Sequence, residues 1–200
     1  MCIRDSFWRT RLRETVLTKN ILSYKDSVID KHPVWCYGKH QPDLLNDLQE
    51  IDPEIEYHEG IPENLNTFFD RNVCNLIILD DLMDEGADSK DFSQLFTRGT
   101  HDNMSVIFLS QNLFHPKQRN ISLNSDYMII FKNVRDKSQF TNLAKQFMPN
   151  DVKFLKWAFE DATRVPHSYL FLDMKPDTDE KLRIRSNILS NQLPLSLIHI

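Results

Sequence analysis

Asn75-Leu76-Ile77-Ile78-Leu79-Asp80-Asp81 sets four consecutive large aliphatic residues directly before two aspartates. An uninterrupted apolar run of this length suits a strand buried on both faces of a parallel sheet, whereas a strand with one wet face alternates apolar and polar residues. The stretch therefore predicts a core strand over Asn75–Asp81. In open α/β sheets, ligands sit outside the carboxyl ends of the strands, so both carboxylates fall on the ligand side. Taken alone, the stretch is accounted for equally well by a strand that ends in a solvated Asp-Asp turn.

Working outward, the flanking sequence alternates strand and helix patterns. Downstream, Ser89 to Arg98 predicts a helix with Phe92, Leu95 and Phe96 on one face, and Met104 to Ser110 predicts a second buried strand closed by Gln111 and Asn112. Asp126 to Phe131 reads as a third strand, Ser138 to Phe147 and Val152 to Glu160 as helices, and Ser168 to Asp173 as a last strand before a turn at Pro176. Upstream, Pro33 to Tyr37 is a short β-branched and aromatic run ending at Gly38. Pro42 to Leu48 suits a helix, Glu54 to His58 a strand, and Pro62 to Phe69 a helix with proline in its first turn. Phe7 to Leu22 reads as an amphipathic helix with Phe7, Leu12, Val16 and Ile21 near helical spacing. This order predicts a three-layer α/β domain with a mostly parallel sheet.

Composition agrees. Two hundred residues, 40% hydrophobic and 26% charged, with 13 Phe and only 4 Gly, describe a chain that folds around a core and exclude disordered and fibrous classes. No run reaches the roughly 18 apolar residues that a membrane-spanning helix needs. The net charge of −5 provides no global positive field, so any contact with a polyanion has to come from a local patch. Lys132, Arg135 and Lys137 form a basic group that reads first as a solvated face. Cys2, Cys36 and Cys74 are isolated, without metal-ligand spacing, which points to a reducing, intracellular compartment.

Three features form an ordered constellation. A strand ending in Asp80-Asp81 is the Walker B arrangement of P-loop NTPases, in which the first acid supports Mg²⁺ and the second polarises the attacking water. Gln111, at the mouth of the next core strand, suits a sensor of the γ-phosphate or the lytic water. Arg98, at the end of the intervening helix, suits an arginine finger reaching a neighbouring subunit's phosphates. Each has a plain alternative, an exposed turn for Gln111 and favourable helix-dipole placement for Arg98. Together and in this order they favour an ATPase.

The sequence resembles a known group at Cys36-Tyr-Gly-Lys-His-Gln-Pro42, Leu79-Asp-Asp-Leu-Met-Asp-Glu85, Leu95-Phe-Thr-Arg-Gly-Thr-His101, Val106-Ile-Phe-Leu-Ser-Gln-Asn-Leu-Phe-His115, Ile121-Ser-Leu-Asn124 and Phe131-Lys-Asn-Val-Arg-Asp-Lys-Ser-Gln139. These segments, in order from about Phe7 to about Ile188, resemble the packaging-type ATPases of Polinton/Maverick elements and adintoviruses, relatives of the poxvirus genome-packaging ATPase in the FtsK–HerA group. The resemblance implies a RecA-like P-loop NTPase core of the ASCE type. It further implies ATP and Mg²⁺ as cofactors, a homo-oligomeric ring, double-stranded DNA as the moved polymer, capsid proteins as partners, and no membrane association. It places the protein at an intracellular viral or virus-like assembly site. By the same resemblance Asp80 helps hold Mg²⁺, Asp81 activates water, Gln111 is the sensor and Arg98 the finger in trans, with Arg119 a second candidate finger. Many members carry Glu where this chain has Asp81, a side chain one methylene shorter.

One part of that pattern is missing. No G-x-x-x-x-G-K-[ST] occurs, and none of Gly38, Gly60, Gly86 and Gly99 opens a phosphate-cradling loop. Relatives carry that loop directly before the helix that begins near Phe7. Met1 to Ser6 (MCIRDS) and Leu195 to Ile200 (LSLIHI) resemble translated sequencing-adapter read-through, the latter having a terminal strand as its alternative reading. The expected organisation is therefore 1–6 adapter-derived, 7–194 a partial P-loop ATPase domain lacking its first strand and Walker A loop, and 195–200 adapter-derived. Such a fragment should hydrolyse ATP poorly. In the family the missing strand lies between those read here as Met104 to Ser110 and Asp126 to Phe131, so a gap or a non-native pairing is expected there. The competing readings are a degenerate, non-catalytic P-loop relative serving as an interaction subunit, and a metal nuclease using Asp80, Asp81 and Asp84. The nuclease lacks the additional spaced acids and Lys of two-metal sites.

Overall fold

The computed structural model describes residues 15–23, 33–62, 72, 74–82, 95–96, 103–110, 119–134, 137–188 and 195–196. The chain divides into two compact units, one carrying the described residues up to Asn124 and the other those from Ser125 onward.

The first unit is built on a four-stranded, wholly parallel sheet. Its strands are β1 (Pro33–Tyr37), β2 (Glu56–Glu59), β3 (Asn75–Asp80) and β4 (Met104–Leu109), in the order β2-β1-β3-β4. Every residue of β3 is buried, as its aliphatic run requires. Alternation along β1 and β3 sends side chains to opposite faces and so makes two cores. Val34, Cys36, Ile77 and Leu79 pack with Leu82, Leu95 and Ile121. Trp35, Leu76 and Ile78 pack with Leu22, Leu48 and Ile55. Leu22 belongs to helix α1 (residues 15–23), Leu48 to α2 (Pro42–Ile51) and Ile121 to α3 (Arg119–Asn124), so helical residues cover both faces of the sheet.

The helices follow local chemistry. Pro42 and Asp43 occupy the first turn of α2, where a missing N–H costs nothing and an acid suits the dipole. The helix stops at Asp52, whose Oδ1 accepts the Glu54 amide at 3.1 Å, an Asx turn that competes with further helix. On α1 the buried face is Thr15, Leu17, Thr18 and Leu22, while Val16 is exposed, so the face expected from Val16 and Ile21 is rotated. Buried threonines, invisible to an apolar count, account for the difference. Residues 7–14 of that helix, all but Pro62 of the helix read over Pro62 to Phe69, and all but residues 95–96 of the one read over Ser89 to Arg98 lie outside the described residues.

The second unit departs from the expected parallel sheet. Strands β5 (Tyr127–Phe131), β6 (Tyr169–Asp173), β7 (Ile184–Ser186) and β8 (Leu195–Ser196) pair antiparallel throughout. The connection from β5 to β6 holds two mutually packed helices, α4 (Lys137–Phe147) and α5 (Val152–Ala162), with Phe140 stacked on Phe159 at 3.9 Å between ring centroids. One helix carries a chain back to start a parallel strand, whereas two return it to the opposite end. The loop from β6 to β7 is too short for a parallel crossover. Helix α3 and strand β7 had no sequence reading, both being too short to show periodicity.

Among the described residues, β4 is the last strand of the parallel sheet.

Candidate functional site

Parallel pairing puts the carboxyl ends of β1 to β4 on one edge. Tyr37 lies opposite both Glu59 and Asp80, and Asp80 lies opposite Leu109. Asp80 is the last residue of β3 and is 3% exposed, a carboxylate at the rim of an otherwise apolar strand. Asp81 is exposed and takes φ 57°, a left-handed conformation that Asp tolerates better than most side chains. Leu82 returns to the core with no exposed surface. The chain therefore turns sharply between a buried acid and a buried leucine, with Asp81 at the apex.

The end of β1 braces that turn. The Gly38 amide donates to the Asp80 carbonyl at 3.1 Å, and a Cβ on Gly38 would meet the Asp81 carbonyl oxygen at 2.6 Å. The Gly60 amide, at φ 74°, donates to the Tyr37 carbonyl at 3.0 Å and ties the end of β2 to β1. His40 packs edge-on against Tyr37, with Nδ1 3.4 Å from the phenol oxygen. His58 Nδ1 lies 3.2 Å from the Gly60 carbonyl, which only accepts, so this nitrogen carries the proton.

The structure thus places Asp80 and Asp81 at the ligand edge of a parallel sheet. Gln111 and Arg98 lie outside the described residues, as do His101, His115 and Arg135. The strand leading to Gln111, β4, runs beside β3 as expected. Arg119 is in α3, while Lys132 and Lys137 are exposed. The sequence marks Gly38 as the end of a strand and as part of the Cys36–Pro42 segment, and assigns it no contact with the Asp80-Asp81 turn. Its role depends on a backbone approach between β1 and β3, for which the Tyr-Gly-Lys-His segment gives no periodic signal.

The fit of the edge to Mg²⁺ follows from the donor set. Among the described residues, no group of three or more His, Cys, Asp or Glu side chains converges to hold a metal. Mg²⁺ coordinated in nucleotide sites takes one or two protein carboxylates and fills its remaining positions with phosphate oxygens and water. A single rim carboxylate beside an exposed second one fits that mode and does not fit a protein-only cage.

The family profile of the poxvirus A32 protein matches residues 21–148. The chain belongs to the poxvirus A32 protein family. The match spans the whole parallel sheet of this A32 relative, both aspartates, and the positions of Arg98, Gln111 and Arg119. A32 membership relates the chain to viral packaging ATPases and gives it a general link to genome packaging. No curated protein and no solved structure matches the chain significantly. Among the described residues, no helix is long and apolar enough to cross a membrane.

Proposed function

We propose that this A32 relative is the Walker B half of an ATP-driven translocase that packages double-stranded DNA, working as a homo-oligomeric ring. The observation that carries the reading is the placement of Asp80, buried at the carboxyl end of the central parallel strand inside the segment matched by the A32 profile. In this reading, a bound Mg²⁺ would supply the positive charge that offsets the phosphates of ATP. Asp80 holds that ion, directly or through its water shell. Asp81 accepts a proton from the attacking water, with one methylene less reach than a glutamate. Gln111 orients the γ-phosphate or the water. Arg98, or Arg119 in its place, stabilises developing charge on the nucleotide of a neighbouring subunit.

The edge of β4 supports a P-loop core. Its sequence, Met104–Leu109, is a central-strand run, yet among the described residues it sits last in the sheet and its apolar residues are only half-buried. Natural edge strands are blunted by charge, proline or bulges, and β4 has none of these. A further parallel strand leading into a phosphate-cradling loop fits that edge. No such loop motif is present in the 200 residues, so we expect the chain by itself to turn over ATP poorly. Partners in this reading are DNA and capsid proteins, the setting is an intracellular assembly site, and the parent is of the Polinton/Maverick or adintovirus type.

The missing motif also favours a second reading, a non-catalytic P-loop relative that serves as an interaction subunit. One experiment separates the two. The source transcript is read upstream of the Phe7 codon, and the protein it encodes is assayed for DNA-stimulated ATP hydrolysis. An in-frame G-x-x-x-x-G-K-[ST], with turnover that Asp80→Asn lowers on the order of a hundredfold or more, supports the motor. Genuine coding sequence without that motif, and no turnover, supports the interaction subunit.

A further inference from the structure

We infer that Gly38 is a positioning residue for the metal-holding turn, acting through the backbone of Asp80 and Asp81. The inference rests on the reading of Asp80 as the Mg²⁺ carboxylate. Two independent contacts converge on the turn from β1. The Gly38 amide donates to the Asp80 carbonyl at 3.1 Å, fixing the last peptide of β3 against the next strand. The missing Cβ then lets the Asp81 carbonyl oxygen come within 2.6 Å of where a side chain would begin. The three heavy atoms nearest that Cβ position all belong to Asp81 and Leu82. Any side chain at position 38 therefore pushes on the turn itself. The turn has little freedom to yield, because Asp81 is already left-handed at φ 57° and Leu82 is fixed in the core.

Gly60 provides the contrast. It also stands one residue beyond a strand of this edge, at φ 74°, but nothing lies within 4 Å of its Cβ position. Alanine there strains its own backbone without pressing on a neighbour. The two glycines have different reasons for being glycine, and only one acts on the aspartates.

The test uses the 200-residue chain with ATP present to supply the phosphate oxygens that complete the ion's shell, and with Mn²⁺ as the spectroscopic substitute for Mg²⁺. Its binding is read by electron paramagnetic resonance for wild type, Asp80→Asn, Gly38→Ala and Gly60→Ala, with the folded fraction followed by circular dichroism. Gly38→Ala is expected to weaken Mn²⁺ binding on the order of tenfold, the usual effect of disturbing a group that orients a metal ligand. Gly60→Ala is expected to lose stability but keep its Mn²⁺ affinity within about twofold, since no ligand-orienting contact is touched. If Asp80→Asn weakens binding while Gly38→Ala does not, or if Gly60→Ala weakens it equally, the inference about Gly38 is overturned and the metal reading stands. If no Asp80-dependent binding exists in wild type, the metal reading fails, and the positioning role falls with it. Should Gly38→Ala not fold, the double variant Gly38→Ala/Asp81→Gly decides. Glycine at 81 lets the turn swing away, so recovery of the fold places the clash at that carbonyl, and no recovery overturns the inference.

Discussion

Cys36 and Cys74 share a side chain and differ in everything that governs its chemistry. Cys36 is fully buried between β-strand neighbours, and burial pushes its thiol from the usual 9.0 up to about 12. Cys74 is exposed. Thiolate is the reactive form, so in the folded protein an aromatic disulfide reagent near pH 8 should label Cys74 within minutes and reach Cys36 only on unfolding. Peptide mapping reads the result, and equal labelling of both in the native state would contradict this burial. The same shift ties stability to pH. The folded state holds Cys36 protonated where the unfolded chain releases the proton. This contribution is therefore complete below about pH 9 and is lost as pH rises toward about 12. Denaturation midpoints should fall over that window, and Cys36→Ala should flatten the fall; an unchanged slope would remove Cys36 as its source. Asp80 stood out in the sequence because a pair of acids directly after four aliphatics is a compositional event. Gly38 did not, because its role comes from a carbonyl on another strand.

At the scale of the element, direction was harder to read than existence. Every predicted strand that falls among the described residues is present, β3 and β4 within a residue of their expected ends. Apolar periodicity shows that a segment is a strand but does not show which way its neighbour runs, and the antiparallel second sheet was missed for that reason. Its β6–β7 loop is set by Arg183, which donates to the carbonyls of Asp173, Lys175 and Thr178 at 3.2, 2.9 and 2.9 Å and to Glu180 Oε1 at 3.0 Å. The neighbouring Asp173 accepts the Lys175 amide and the Thr178 hydroxyl and pairs with Arg185 at 2.8 Å. Truncating Arg183 to alanine removes its guanidinium from three carbonyls, of which that of Lys175 keeps the Thr178 amide, and should cost about 2 kcal/mol, with faster amide exchange at 174–182. A loop that stays protected would show that Asp173 alone suffices. The unblunted edge of β4 carries the opposite expectation. Ser105 is exposed on that strand, so Ser105→Lys should reduce concentration-dependent self-association measured by sedimentation without lowering stability. Unchanged association would show that β4 is not the sticky edge.

At the scale of the whole molecule, the question is how far the two units depend on each other. The A32 match begins in α1, covers the parallel sheet and ends just past α4, so it includes the first unit's entire strand set but stops before β6. Each unit has its own buried aliphatics: Ile78 in β3 and Leu172 in β6 both have no exposed surface. Removing either leaves a cavity, and Ile78→Ala or Leu172→Ala should cost about 3 kcal/mol. The consequence differs with the coupling. If the units are separate cooperative structures, Ile78→Ala speeds amide exchange in β1 and β3 and leaves β5 and β6 protected, and Leu172→Ala does the reverse. We expect this pattern, with Leu172→Ala keeping wild-type Mn²⁺ affinity because Asp80 and the turn that holds it are built entirely from the parallel sheet. Equal acceleration across both sheets from either variant would instead mark one cooperative body, and the aspartate edge would then depend on the antiparallel sheet for its stability. In that case a substitution in the other unit would weaken metal binding simply by unfolding the whole, so Mn²⁺ affinities are to be compared only at equal folded fraction.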